Sequence, residues 1–414
     1  MPSSRSPAQE KKDTRAAIVF CTVVAVLLLA LVLLLVFAVF RPAGDKARTA
    51  ALTPSPTASA APTPTPFAPR TVTIRAAGDV MMHDEQLRAA ARPGEGYDFS
   101  PQYDLIAESL SAADYTIANL ETTVGLYSDN PYSGYPMFNA PPELLTALHD
   151  AGIDFVSMAN NHILDRYFDG MLYTIDNVEA MGLDYGGANR SKEQKETPNI
   201  VEVGGVRLGM LCYAEHTNEM DVYSDPRARE YGVNYIEGTD FAAEVRKLRE
   251  AGADVVIAML HWGDEYERWA NSYQRSLAEE LVAAGVDVIL GGHSHVVQPA
   301  GMRELTLADG TEHEALIAFS LGNFNSGMVD EYANAGAILE FTLVEQEEGG
   351  FSIEDIGFVP TYCWPKDGVF TTVPALVYYD EAPEGMSPEE HQRLRKSVDD
   401  VKTLMGGRLA VLEK

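Results

Sequence analysis

The stretch "VILGGHSHVVQP" (Val288–Pro299) runs as an apolar segment, stops at two glycines and then presents His293 and His295 one residue apart. In an extended chain a skipped residue returns the next side chain to the same face, so this spacing predicts two imidazoles aimed at one object, a metal ion being the natural candidate. The apolar run reads as a buried strand, and its neighbourhood decides the fold. "YQRSLAEELVAAGVDVILGGHSH" runs helix, Ala-Gly, strand and polar cluster, and "DFAAEVRKLREAGADVVIAMLHWG" repeats that grammar. "PPELLTALHDAGIDFVSMANNH" does so again, with proline at a helix start, a stop at Gly152 and a strand over Ile153–Met158. "TVTIRAAGDV" begins as a strand and ends at Gly78-Asp79, while "LIAFSLGNF" adds a strand ending at Gly322-Asn323.

Short apolar strands alternating with helices imply βαβ units and an α/β sheet covered on both faces. In such sheets ligands bind beyond the carboxyl ends of the strands. After Tyr332 the sequence changes to period-two alternation around a Gly-Gly turn, which predicts antiparallel strands completing a sheet. "SPEEHQRLRKSVDDVKTLMGG" opens with Ser387 and Pro388 and reads as a capped surface helix carrying no chemistry.

The strand ends collect Asp79, Asn119, Glu121, Asn160, Asn161, His162, His261, His293 and His295. Carboxylates, amide oxygens and imidazoles form a mixed O/N ligand set suited to one or two divalent ions such as manganese, iron or zinc. Taken singly, Asp79 reads equally as a turn residue, Glu121 as a capping glutamate, and His162 and His261 as core histidines. Their joint occurrence at successive strand ends raises the metal reading, led by the Gly-His-Ser-His pair. His83, His149, His216 and His313 lack this setting and read as surface or packing residues. Trp262, Tyr266 and Trp269 follow His261 and are candidates for a pocket wall.

In this order, the segments "AAGDVMMHD", "ANLETT", "ANNHILD", "HWGDEY", "GGHSHVVQP" and "SLGNF" resemble the bacterial capsule synthesis protein CapA family, associated with poly-γ-glutamate production. Its members are similar in fold to calcineurin-like metallophosphoesterases. The resemblance implies an α/β fold, a layered metallophosphoesterase-like sheet core with covering helices, preceded by one transmembrane helix. Carried over, Asp79 resembles the first-motif aspartate and Glu121 stands where a bridging aspartate is usual. Asn161 resembles the amide ligand, with His162 beside it as general acid or transition-state stabiliser. His261 and His293 would complete one metal, and His295 would join Asp79 and Glu121 at the other. Asn119, Asn160, Trp262 and Asn323 are then expected near the substrate. One departure stands out: the usual metallophosphoesterase first motif is Asp-x-His, and Met81 occupies the histidine position, which puts double occupancy in doubt.

The remaining features concern location. Ala16 to Phe40 is 25 residues without a charge, long enough to cross a bilayer, and longer than the apolar region of a cleaved signal peptide. Residues 1–15 are expected in the cytoplasm, and residues 41–70, rich in Pro, Thr, Ser and Ala, read as an extended linker. The domain is expected over residues 71–380, with a helical tail over 381–414. The linker composition leads to the expectation that the domain lies outside the cell membrane, where other membrane subunits of a polymer synthesis or export complex are candidate partners. A formal charge of −30 excludes a nucleic-acid footprint. No Gly-rich phosphate loop followed by Lys-Ser/Thr is present, so activation of glutamate with ATP is not expected of this chain. Three scattered cysteines form no disulfide framework, and whether Cys212 and Cys363 pair is open. Three functions compete: a part in capsule or poly-γ-glutamate synthesis or export, an extracellular metallophosphoesterase acting on a phosphorylated envelope substrate, and a non-catalytic metal-binding module.

Overall fold

Two β-sheets face each other across a shared apolar interior. The computed structural model describes residues 67–125, 131–306, 310–407 and 409–414. The span over 16–40 and nearly all of the linker lie outside them, and no described helix is long and apolar enough to cross a membrane. The principal strands, in chain order, are β1 (Thr71–Val80), β2 (Tyr115–Leu120), β3 (Phe155–Ser157), β4 (Asp184–Gly186), β5 (Ile200–Val203), β6 (Val206–Ala214), β7 (Val255–His261) and β8 (Val288–Gly292). They continue with β9 (Ala300–Thr306), β10 (Glu312–Ala318), β11 (Asn323–Asn325), β12 (Ala335–Glu345), β13 (Phe351–Trp364), β14 (Thr371–Pro374) and β15 (Ala410–Val411). The main helices are α1 (Asp84–Ala90), α2 (Glu143–Ala151), α3 (Tyr167–Met181), α4 (Phe241–Glu250), α5 (Ser272–Ala284) and α6 (Pro388–Met405).

The first sheet runs β14-β13-β12-β1-β2-β3-β4, with β11 also paired to β1 and β15 to β13. Its β1-β2-β3-β4 part is parallel and its β1-β12-β13-β14 part antiparallel. The second sheet runs β9-β10-β8-β7-β6-β5, parallel through β6, β7, β8 and β10. Ile74, Ile117 and Phe155 of the first sheet meet Leu208, Ile257 and Leu290 of the second in one core. Helices α1, α2 and α3 cover the outer face of the first sheet, and α4 and α5 that of the second. The expected α/β sheet covered on both faces takes the form of two facing sheets: helices cover each outer face, and the inner face of the first packs against the second sheet and, along β12 and β13, against α6. The strands still read as unbroken apolar runs because both faces are covered, as in β7, where all seven residues are buried.

Local signals explain the element ends. Gly152 closes α2 at φ 107, a left-handed cap that favours glycine. The β12–β13 hairpin turns through Gly349 and Gly350, both at positive φ. The strand expected over Ile153–Met158 is shorter, Phe155–Ser157, and Asn323 begins β11 instead of ending the preceding strand. That break lies where Gly322 adopts φ 68 and its carbonyl approaches Gly78 so closely that a Cβ on Gly78 would sit 1.9 Å away.

Ser387 caps α6 by accepting the Glu390 N–H. The helix is more than a surface element: Leu394, Val398, Val401 and Met405 are buried against the sheet, and β15 beyond it pairs with β13. Cys212 and Cys363 are both buried free thiols.

Candidate metal centre

The parallel strands of both sheets deliver their carboxyl ends to one place. Asp79 ends β1, Asn119 and Glu121 end β2, Asn160 to His162 follow β3, His261 ends β7, and His293 and His295 follow β8. Gly291 and Gly292 make this crowding feasible. A Cβ on Gly291 would lie 1.9 Å from the Phe319 carbonyl oxygen, and one on Gly292 would lie 2.4 Å from Asp79 Oδ1. No other residue type fits there. The strand ends at Gly292, so the two imidazoles do not converge by strand alternation as the spacing suggested. They converge because His293 and His295 both take left-handed backbone, φ 87 and 59, an uncommon and costly choice for residues with a side chain.

Two groups of ligand atoms result, Glu121 with His261 and His293, and Asp79 with Glu121 and His295, each mutually within 4.8 Å. Glu121 belongs to both. In the first, His261 Nε2 lies 3.1 Å from His293 Nδ1, 3.3 Å from Glu121 Oε1 and 2.7 Å from Asn161 Oδ1. In the second, Asp79 Oδ2 lies 3.6 Å from His295 Nδ1, and Glu121 Oε1 lies 3.9 Å from His295 Nε2. Atoms bound to a common ion at about 2.0–2.2 Å stand roughly 3 Å apart, which is the separation seen in the first group.

Burial and charge test whether an ion fits. Glu121 is fully buried and neither carboxylate oxygen has a hydrogen-bond partner among the described residues. A buried carboxylate left this way is strongly unfavourable, and a cation is its chemical complement. Burial raises the Glu121 carboxyl to about 8, with the Asp79 charge adding to it. Burial pushes His261 down to about 3 and His293 well below its ordinary value, so both are neutral imidazoles with lone pairs to offer. Burial would also lower His295, but Glu121 and Asp79 outweigh it and raise this group to about 9. Asp79 is held below the usual carboxylate range: burial opposes this, and the hydrogen bond and charge of His295 prevail. The carboxylates, Asn161, His261 and His293 fit a divalent metal, and His295 would give up its proton on joining them.

The predicted amides support the ligands. Asn119 Nδ2 donates to Asp79 Oδ1 at 2.8 Å, and Asn160 Nδ2 donates to the Leu120 carbonyl at 2.8 Å. Asn323 Oδ1 lies 3.1 Å from His295 Nδ1, while its Nδ2 donates to the Ala333 carbonyl. Trp262 is corrected outright. It is 0% exposed, packs in the helix-side core of the second sheet and donates Nε1–H to the Phe319 carbonyl at 3.0 Å. It therefore lines no pocket.

His162 is buried beside the cluster, its Nδ1 2.8 Å from Asp165 Oδ2. Burial lowers His162, yet Asp165 and Glu121 win and raise it. Asp165, which also accepts the Phe138 N–H, is a partner that sequence reading passed over, although it lies in "ANNHILD" three residues from His162. Two histidines taken as surface or packing residues border the site. The exposed His216 ring stands edge-on to His293 at 5.2 Å. His83 packs edge-on to Phe138, which packs edge-on to His162, and burial lowers His83 to about 4. His83 carried a signal, lying four residues beyond Asp79. His216 carried one too, standing two residues beyond the end of β6.

Parallel strand ends of two facing sheets, converging on a buried carboxylate, amide and imidazole set, define a protein built around a candidate divalent-metal centre. Residues 73–328 match the bacterial capsule synthesis protein PGA_cap family, and the chain belongs to it. It is 27% identical over 295 residues to the capsule biosynthesis protein CapA of Bacillus anthracis, covering 67% of this chain and 68% of that protein. To the PGA biosynthesis protein CapA of Bacillus subtilis it is 27% identical over 283 residues, covering 67% and 70%. Among solved structures it is similar to the calcineurin-like phosphoesterase YfkN from Bacillus subtilis, with a TM-score of 0.42 and 15% identity over 81% of this chain and 98% of that one.

Proposed function

We propose that this chain is a membrane-anchored protein whose metal-binding domain acts outside the cell in the synthesis or export of poly-γ-glutamate or a related anionic envelope polymer. The single observation that carries the metal reading is Glu121, buried without a hydrogen-bond partner among the described residues where two ligand groups meet. Family membership supports the polymer, and the uncharged stretch Ala16 to Phe40 supports the anchor. Asp79, Glu121 and His295 would hold one divalent ion; Glu121, Asn161, His261 and His293 would hold a second. A bound ion supplies Lewis acidity toward a carbonyl or phosphoryl oxygen. The chain's own groups do the rest. Asp165 Oδ2 accepts the proton on His162 Nδ1, which orients the ring and leaves Nε2 to carry a proton toward a bound substrate.

That dyad also favours a second reading, an extracellular metallophosphoesterase. Metal analysis of the full chain, followed by assays with a chromogenic phosphodiester and with poly-γ-glutamate, separates the two. Deletion of the gene is expected to lower surface polyglutamate, and unchanged polymer removes the first reading. Phosphodiester turnover that disappears in His293→Ala establishes the second.

A further inference from the structure

Two tyrosines stand in solvent beside a site whose ligand residues are buried: Tyr266 is 48% exposed and Tyr135 70%. Tyr266 adopts φ 65, left-handed backbone that strains a bulky residue. Its N–H donates to the Ser294 carbonyl, between the two site histidines, at 2.7 Å. Its ring centroid lies 6.1 Å from that of His295. Tyr135 flanks a different side. Its ring is 6.3 Å from Phe138, which lies 4.7 Å from His162 and 5.1 Å from His83. Single exposed aromatics need no explanation, but a strained one clamped to the histidine loop, matched by a second beyond His162, calls for a ligand.

The ligand's chemistry follows from charge. A chain with a formal charge of −30 repels a polyanion at long range. Neutral phenols escape that repulsion, and they suit a polymer backbone made of methylenes and planar amides. We propose that Tyr135 and Tyr266 form a clamp that stacks on the amide planes of a γ-linked glutamate chain, one carboxylate of which enters the cluster around Glu121. The clamp rests on the polymer reading above and names how the substrate backbone is held.

The test uses the full chain in detergent, loaded with manganese, titrated calorimetrically with an oligomer of γ-linked glutamate and, separately, with free glutamate. Tyr135→Ala and Tyr266→Ala are each expected to weaken oligomer binding roughly three- to tenfold, the scale of one aromatic stacking contact. Tyr135→Phe and Tyr266→Phe keep wild-type affinity, and neither bound manganese nor affinity for free glutamate changes in any variant. Wild-type oligomer affinity in the alanine variants overturns the clamp and leaves the polymer reading standing. Loss of manganese from an alanine variant makes the tyrosine a structural residue and also overturns it. Failure of the wild-type chain to bind the oligomer removes both.

Discussion

At the scale of single residues, the interior is arranged to make Glu121 uncomfortable without a cation. Its carboxyl is raised to about 8 by burial, and neither of its oxygens has a hydrogen-bond partner among the described residues. Glu121→Gln removes the charge and keeps the shape. Bound divalent metal is expected to fall at least tenfold in affinity, on the order seen when ligand-supporting groups are lost, while the chelated protein melts no lower than wild type. Elemental analysis and a melting curve in chelator check both halves. A variant that keeps its metal sinks the bridging role. Trp262→Phe makes the opposite case. It forfeits the hydrogen bond to the Phe319 carbonyl and some packing, so stability drops by about 1–3 kcal/mol in denaturant titration while metal content holds. The ligands were legible because each interrupts an apolar run at a strand end. Trp262 was misread although alternation held the answer: next to His261 in extended chain it must point away from the cluster, into the helix layer. His216 was passed over although it stands two residues beyond the apolar strand β6, the same strand-end position that marked the ligands.

At the scale of elements, the sequence specified strands and helices well and their layering less well. A strand covered on both faces reads as the same unbroken apolar run whether the second cover is a helix or another sheet, so β6, β7 and β8 could not announce the facing sheet. The C-terminal helix shows the related limit. Its charged face dominates the sequence, and its cap residues Ser387 and Pro388 mark where it starts, but not how deeply its apolar stripe is buried. Leu394 is 0% exposed in a cluster with Tyr362, Trp364 and Val398. Leu394→Ala is expected to cost about 2–5 kcal/mol, whereas the exposed neighbour Gln392→Ala stays within about 0.5 kcal/mol. Chemical denaturation of the two variants decides whether α6 is part of the core. Equal, small effects would make it an appendage.

At the scale of the whole molecule, the entry of the chain into the domain is fastened by Arg70, which pairs with both Glu345 and Asp254. Arg70, at the end of the expected linker, donates from Nε to Glu345 Oε2 at 2.9 Å and from a terminal nitrogen to Oε1 at 2.7 Å, tying the start of β1 to the end of β12. That hydrogen bonding holds the Glu345 carboxyl at about 2, below its ordinary 4.5. The folded state thus favours the ionised form. The stability this contributes is complete above about 4.5 and is lost as the pH falls toward about 2. Melting temperatures measured in chelator, so that acid release of metal does not intrude, should fall more steeply over that window in wild type than in Glu345→Gln, and the two curves should close on each other at its acid end. The slope difference is small, because the two side chains are 38% and 23% exposed and solvent screens them. Added salt shrinks it further. Parallel curves over the window would show that the Glu345 carboxylate adds nothing to the pairing of the domain's first strand with its sheet neighbours.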